Sequence, residues 1–454
     1  MPKNITTINP YNEEVIKVYD FDTPSQIKTK LKLADDVFNA WKEKEIKERT
    51  ELLSEVSNLL EQRIDYLSEL ITLEMGKPIN ESIAEINKCI FLCDFYVVNA
   101  ESFLADQIIE TDAHESFISY DPLGVVLAIM PWNYPFWQVF RFAVPTLTSG
   151  NTTLLKHASN VSGCALAIQE IFEEAGYPKG CFQTLLTNHE AVENLLKDDI
   201  IKAVSLTGSE KAGRHIAKIA GENLKKSVLE LGGNNACIVL DDANLDKYLD
   251  TMVKARMQNT GQSCIAAKRF IVTQGIYDEF VEKFTNKVKG LKFGNPLEKD
   301  TDIATMARED LALDLEKQVN DAVEKGAKVM IGNTREKAYF APTILTHVSE
   351  EMAVFKEETF GPVAPIFKVD NLEDALKLAT NSKFGLGTML FTENIKEAMH
   401  TISKIPDGAF FINEMVKSDP RLPFGGTKAS GYGRELSIEG IHEFVNIKTV
   451  YVNK

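Results

Sequence analysis

One thiol stands at the end of the run QNTGQSC, residues 258 to 264. Asn259, Thr260, Gly261, Gln262 and Ser263 precede Cys264, and two alanines and a Lys-Arg pair follow it. A structural cysteine usually sits among Leu, Val and Ile. This stretch packs poorly, but it offers a flexible backbone and room for a substrate to reach sulfur. Such a thiol is mostly protonated at neutral pH and needs a base or a positive field to become a nucleophile. The seven histidines lie far away in sequence, so a Cys-His hydrolase gains little support. Glu230, in LELGGNN, is the better base. It is flanked by Leu229 and Leu231, and a carboxylate in an apolar run is costly when charged. Burial would raise its pKa into a useful range; the alternative is a strand-edge glutamate facing water. The Gly-Gly pair after it favours a site, because it admits another backbone or a ligand. Asn133, in PWNYPFW, is held between aromatic and proline residues. It is a candidate oxyanion donor, or else a turn asparagine before a helix.

A second group could hold a phosphate-bearing ligand. SLTGSEKAG follows a strand and opens a helix, with Gly208 and Gly213 on either side of Ser209. A glycine at such a turn lets backbone approach a phosphate at the helix N-terminus. A plain strand-to-helix turn would need a glycine too, and the pattern alone leaves both readings open. Lys156 ends the strand TTLLK, where a lysine faces the ligand crevice or simply solvent.

The elements that must position these residues alternate. GVVLAIMPW, TTLLKHAS, CFQTLLTN, AVSLTGS and ACIVLDD read as strands; CALAIQEIFEEAG, EAVENLLKDD and KAGRHIAKIAG read as helices. That order predicts a parallel sheet wrapped by helices, binding ligands beyond the C-terminal strand ends. A second α/β block runs from about 232 to 430 and carries Cys264. Leu52, Val56, Leu59, Leu60, Leu67, Leu70 and Ile71 recur at helical spacing, and Gly76 and Pro78 end that helix. QIIETDAHESFISYDP reads as a hairpin outside the core, and IKTVYVN as another strand. Two exposed strands invite pairing with another subunit.

The 454 residues call for two or three domains. The net charge of −16 argues against nucleic acid or an anionic membrane as main partner. MPKNITTINPYNEE lacks the apolar core of a signal peptide, and a cytoplasmic location follows by default. Cys89 and Cys93 lie four apart with no second Cys/His pair, so they read as free thiols in a reducing compartment; no metal site is expected.

In order along the chain, PWNYP, LLKHAS, SLTGSEKAG, LELGGNN, NTGQSC, EETFGPV and PFGGTKASGYGRE resemble the NAD(P)-dependent aldehyde dehydrogenase superfamily over nearly the whole length. The resemblance implies a Rossmann-type cofactor domain over 1–105 and 123–231. It also implies an α/β catalytic domain over 232–430 and a β-strand oligomerisation arm over 106–122 and 431–454. It implies a homodimer or homotetramer. Cys264 would attack the aldehyde to form a thiohemiacetal, with Asn133 and the Cys264 N–H holding the oxyanion. Glu230 would activate the water that hydrolyses the thioester. Lys156 would contact the adenosine ribose, Gly208 and Ser209 the pyrophosphate, and Glu358 and Phe360 the nicotinamide riboside. Trp132, Gly213 and Leu231 complete the implied cofactor site. NAD-preferring members often carry a glutamate three residues after the lysine. Ser159 stands there, which removes its repulsion of a 2′-phosphate, so NAD or NADP is expected.

Within the superfamily the chain most resembles bacterial succinate-semialdehyde dehydrogenases. Arg141, eight residues after Asn133, matches an arginine that holds the substrate carboxylate there; it could equally pair with an acidic neighbour. A second arginine, often six residues before the nucleophile, is here Gln258, so the site would hold one charge, helped by Gln258 and Ser418. The alternative is a broad aliphatic or hydroxyaldehyde (lactaldehyde-type) dehydrogenase. A CoA-acylating enzyme, a cofactor-free hydrolase and a non-catalytic protein fit Glu230, Cys264 and Asn133 less well. Some members form a regulatory disulfide with a cysteine two residues after the nucleophile; Ala266 stands there.

Overall fold

Two sheets divide the chemistry-bearing segments between them in the computed structural model, which describes residues 4–454. The first has six strands in the order Gly431–Tyr432, Lys226–Glu230, Ile201–Thr207, Val125–Met130, Thr152–His157, Phe182–Thr184. All neighbours run parallel except the first pair. Strands such as VVLAIM and TTLLKH are buried along nearly their whole length, because helices cover both faces. Those helices begin where short polar side chains can satisfy free backbone N–H groups. Asn188 caps His189–Lys197 by accepting from Ala191 N (3.0 Å), and Ser209 caps Glu210–Glu222 by accepting from Ala212 N (3.3 Å).

The second sheet has seven strands in the order Lys328–Ile331, Thr343–Thr346, Val363–Val369, Arg269–Thr273, Ala236–Val239, Gly387–Phe391, Ala409–Ile412. It too is parallel apart from its first pair. LELGGNN is the crossing between the sheets: Glu230 ends a strand of the first and Ala236 begins one of the second.

The remaining segments flank this frame. The periodic run after residue 46 is two helices, Ile46–Gln62 and Ile64–Met75, where the spacing predicts one. Arg63 leaves helical geometry (φ −109°) at a point where no glycine or proline marks the break. Gly76 ends the second in the left-handed region (φ 88°), as expected of a helix stop. A long helix, Ile79–Leu104, follows and buries Cys89 and Cys93. The two outlying strand segments pair with each other: Val445–Val452 runs antiparallel to Glu115–Pro122 over eight residue pairs, and Gln107–Ile108 covers the far side. Gly431–Tyr432 joins the edge of the six-stranded sheet, away from that arm. Among the described residues, no helix is long and apolar enough to cross a membrane.

Candidate active site

Cys264 follows a turn that departs from ordinary backbone geometry. The helix Leu245–Met257 ends, and Asn259, Thr260 and Gly261 then take φ of 57°, 53° and 73°. A β-branched residue there is a true outlier, worth of order 1–3 kcal/mol of strain. The surroundings enforce it. Asn259 N donates to Glu81 Oε2 (2.7 Å), and Asn259 Nδ2 donates to Asn133 O (2.8 Å) and Gln262 O (3.0 Å). Fully buried Arg256 donates to Gly261 O (2.7 Å), Ala267 O (3.0 Å) and Gly361 O. The expectation of a loosely packed, flexible run before the thiol is therefore corrected: residues 259 to 263 are buried and tightly bonded, and their small size serves close packing. A side chain at 261 would run into the Gly361 carbonyl.

The thiol itself is half-buried on the wall of a cavity of about 360 Å3, with Tyr134, Trp137, Arg141, Gln258, Ser418 and Lys88 among the other lining residues. Burial pushes it up to about 11; Arg141 and then Lys268 pull the other way. Asn133 lies beside the turn. Its Nδ2 donates to Gln262 O (3.0 Å), leaving its second amide hydrogen uncommitted, and its Oδ1 accepts from Gln138 Nε2 (3.1 Å), which fixes the amide orientation. The helix carrying Gln138 and Arg141, Trp137–Thr148, is anchored by Glu85, whose Oε1 accepts from Phe136 N (2.8 Å) and Trp137 N (2.9 Å). Buried Lys77 pairs with the other oxygen of Glu85 (2.6 Å).

Glu230 is buried, and neither of its carboxylate oxygens has a hydrogen-bond partner among the described residues. Burial first, and the nearby Glu435 second, hold its carboxyl well above the usual range. Both influences favour its neutral form over the carboxylate. Arg141 forms an ion pair with Glu435, both side chains being almost inaccessible, and stacks over the Phe424 ring at 4.5 Å. The acidic-neighbour alternative for Arg141 is thus realised, yet its guanidinium also lines the cavity.

Gly232 and Gly233 bring two further segments together. A side chain at 232 would run into Glu358 Oε2, and one at 233 would meet Cys264 O at 2.7 Å. Glu358 Oε1 accepts from Lys268 Nζ (2.8 Å) and Gly233 N (3.2 Å). Trp132 and Phe360 meet edge to face at 5.7 Å beside them. Lys156 has no carboxylate or hydrogen-bond partner among the described residues, and burial lowers its ammonium. Ser159 opens the short turn after its strand, and Gly208 is open above its backbone, its nearest neighbour to an added Cβ being Leu206 at 3.7 Å. Gly213 lies inside the helix, where a Cβ would meet Leu231 at 2.6 Å; close packing of helix on strand explains that glycine. An unpartnered cation at a strand end, a half-open thiol and an uncovered glycine at a helix start suit a dinucleotide with a negative pyrophosphate.

Gln258 donates to Tyr134 OH (3.3 Å), and Ser418 Oγ accepts from Trp137 Nε1 (3.0 Å) and from Lys88 Nζ (2.8 Å). Lys88, Arg256, Lys268 and Glu435 were not singled out from sequence. Lys268, in the Lys-Arg pair after the thiol, carried a visible signal; Lys88 and Glu435 face partners distant along the chain.

A model of the aldehyde dehydrogenase family matches residues 1–450. A protein of Synechocystis sp. named probable succinate-semialdehyde dehydrogenase, NADP(+), is 49% identical over 451 residues, 99% of each chain. One of Mycobacterium bovis named succinate-semialdehyde dehydrogenase, NADP(+), 1 is 44% identical over 454 residues, again 99% of each. The crystal structure of succinic semialdehyde dehydrogenase from Streptococcus pyogenes in complex with NADP+ superposes with a TM-score of 0.97 at 36% identity, covering 99% of this chain and all of that one. With the family match running almost end to end and relatives this similar over their whole length, the chain belongs to the aldehyde dehydrogenase family.

Proposed function

We propose that the protein oxidises succinate semialdehyde to succinate with NADP or NAD as acceptor. The observation that carries this is the single cavity in which the Cys264 thiol shares a wall with Arg141 and Ser418, groups suited to a carboxylate. The relatives' names and the serine at 159 support the substrate and the tolerance of a 2′-phosphate.

In this reading Cys264 gives its proton to solvent, and the thiolate sulfur attacks the aldehyde carbon, forming a thiohemiacetal. The oxyanion is held by the free amide hydrogen of Asn133 and by the Cys264 backbone N–H. A nicotinamide held beside Glu358 and Phe360 would supply a hydride acceptor; loss of hydride from the thiohemiacetal carbon, with collapse of the oxyanion to a carbonyl, leaves a thioester. Glu230, ionised at that stage, takes a proton from water as the water attacks the thioester carbon, and Cys264 leaves as the thiolate. Lys156 and Ser159 hold the adenosine ribose, Gly208 and Ser209 the pyrophosphate. Glu358, Phe360, Trp132 and Leu231 set the nicotinamide end. The six-stranded sheet serves as cofactor domain and the seven-stranded one as catalytic domain, and the strand arm joins copies into a homo-oligomer.

The Arg141–Glu435 pair favours the alternative, a broad aliphatic or hydroxyaldehyde enzyme, because a neutralised guanidinium reads a carboxylate less strongly. Reduced-cofactor formation decides between them, with succinate semialdehyde, butanal, lactaldehyde and glutarate semialdehyde tested against NAD and NADP. A kcat/KM for succinate semialdehyde at least about tenfold above butanal, about 1.4 kcal/mol of transition-state binding, is expected. Equal values across the panel would refute the substrate.

A further inference from the structure

We propose that Lys88, on the long helix Ile79–Leu104, is the principal cation receiving the distal carboxylate of the substrate. The proposal rests on the semialdehyde reading above and assigns its charge recognition to a different residue. Four cations line the cavity beside Cys264. Lys417 is paired with Glu414 (3.0 Å) and Lys254 is exposed to solvent, which leaves Arg141 and Lys88 as the buried or half-buried ones. They differ in what already balances them. Arg141 is ion-paired with Glu435 inside the protein. Lys88 has no carboxylate within ion-pair distance among the described residues. The acids nearest to it are committed elsewhere. Asp419 is held by Arg421, through Nε (2.8 Å) and Nη2 (2.6 Å). Glu85 is held by Lys77 and by the backbone N–H groups of Phe136 and Trp137.

The Lys88 ammonium is placed rather than loose. It lies 4.1 Å from the centre of the Trp137 ring and donates to Ser418 Oγ at 2.8 Å. An ammonium has three hydrogens, so two remain for a ligand. The Ser418 oxygen also accepts from Trp137 Nε1 at 3.0 Å. With both lone-pair directions taken, its own hydrogen is left to donate. An ammonium and a hydroxyl hydrogen thus converge on one side of the cavity, a pairing suited to carboxylate oxygens. Burial and the neighbouring Arg141 push the Lys88 amine down to about 7. An anion bound there restores the charged form.

The test compares the parent with Lys88→Met and Lys88→Arg. The readout is the ratio of kcat/KM for succinate semialdehyde to that for butanal, with inhibition by succinate measured alongside. In Lys88→Met that ratio falls by about tenfold or more, mainly through KM, and the succinate inhibition constant rises by a similar factor. Lys88→Arg restores most of both. A Lys88→Met enzyme that keeps the parental ratio overturns the assignment while leaving the substrate reading intact. Equal loss on both aldehydes, unrescued by arginine, also overturns it, since it marks a purely structural contact. A parent enzyme without preference for the semialdehyde overturns the functional reading itself.

Discussion

In the proposed mechanism Glu230 would act at two stages of the reaction. Its carboxyl is buried without a partner and its neighbour Glu435 is also acidic, so both influences favour the neutral form. In its neutral form it adds no negative charge near the Cys264 thiol. In the proposed mechanism only its ionised form can activate water, so hydrolysis of the thioester would be the step most sensitive to it. Glu230→Gln therefore keeps the first turnover and loses the rest, by about a hundredfold or more in kcat. Mass spectrometry of quenched enzyme should find an acyl group on Cys264, with reduced cofactor formed in a burst. A steady-state rate close to the parent's would remove Glu230 from the hydrolytic step.

At the scale of elements, the turn before Cys264 is held by a cation with no carboxylate within ion-pair distance among the described residues. Arg256 is wholly buried and spends its donors on the carbonyls of Gly261, Ala267, Thr359 and Gly361. It thereby ties the nucleophile's turn to the segment that follows Glu358. Arg256→Met leaves the Gly261, Ala267 and Thr359 carbonyls without that donor, while Gly361 O keeps Val363 N (2.8 Å). It should cost about 3 kcal/mol or more of stability, since each unmet buried acceptor costs about 1–3 kcal/mol. Denaturant unfolding checks this, and a loss below about 0.5 kcal/mol would show that the turn holds itself. Contiguous motifs made much of this scale readable. SLTGSEKAG carries its own strand, turn and helix cap, and LELGGNN announces a crowded crossing through two adjacent glycines. The break at Arg63 was invisible because Gln62 and Arg63 are ordinary helix residues. The left-handed Thr260 was invisible because local preference opposes it, and only tertiary bonds impose it. Lys88 was silent because its partner Ser418 lies 330 positions away. Arg141 was found, but its sequence neighbourhood gave no hint of Glu435, near the other end of the chain.

For the whole molecule, the two sheets meet where LELGGNN crosses, and the arm stands apart. Val445–Val452 lies at the edge of its three-stranded sheet, with Ile447, Tyr451 and Val452 exposed. An uncovered apolar edge is a ready template for another chain. Ile447→Lys places a charge on that edge and should lower the associated mass seen by light scattering. An unchanged mass would direct the search for the subunit contact elsewhere.

The six cysteines are all free, and five of them, Cys89, Cys93, Cys164, Cys181 and Cys237, are sealed in the interior. Burial raises the pKa of each of those five. Only Cys264 is open to a reagent. The chain is thus a natural single-label scaffold: a dye or spin probe added to the folded protein reports from the reaction centre alone. The same arrangement directs oxidation to one sulfur, so with Cys264 as the proposed nucleophile a peroxide that leaves the fold untouched should silence the enzyme at a stoichiometry of one per chain.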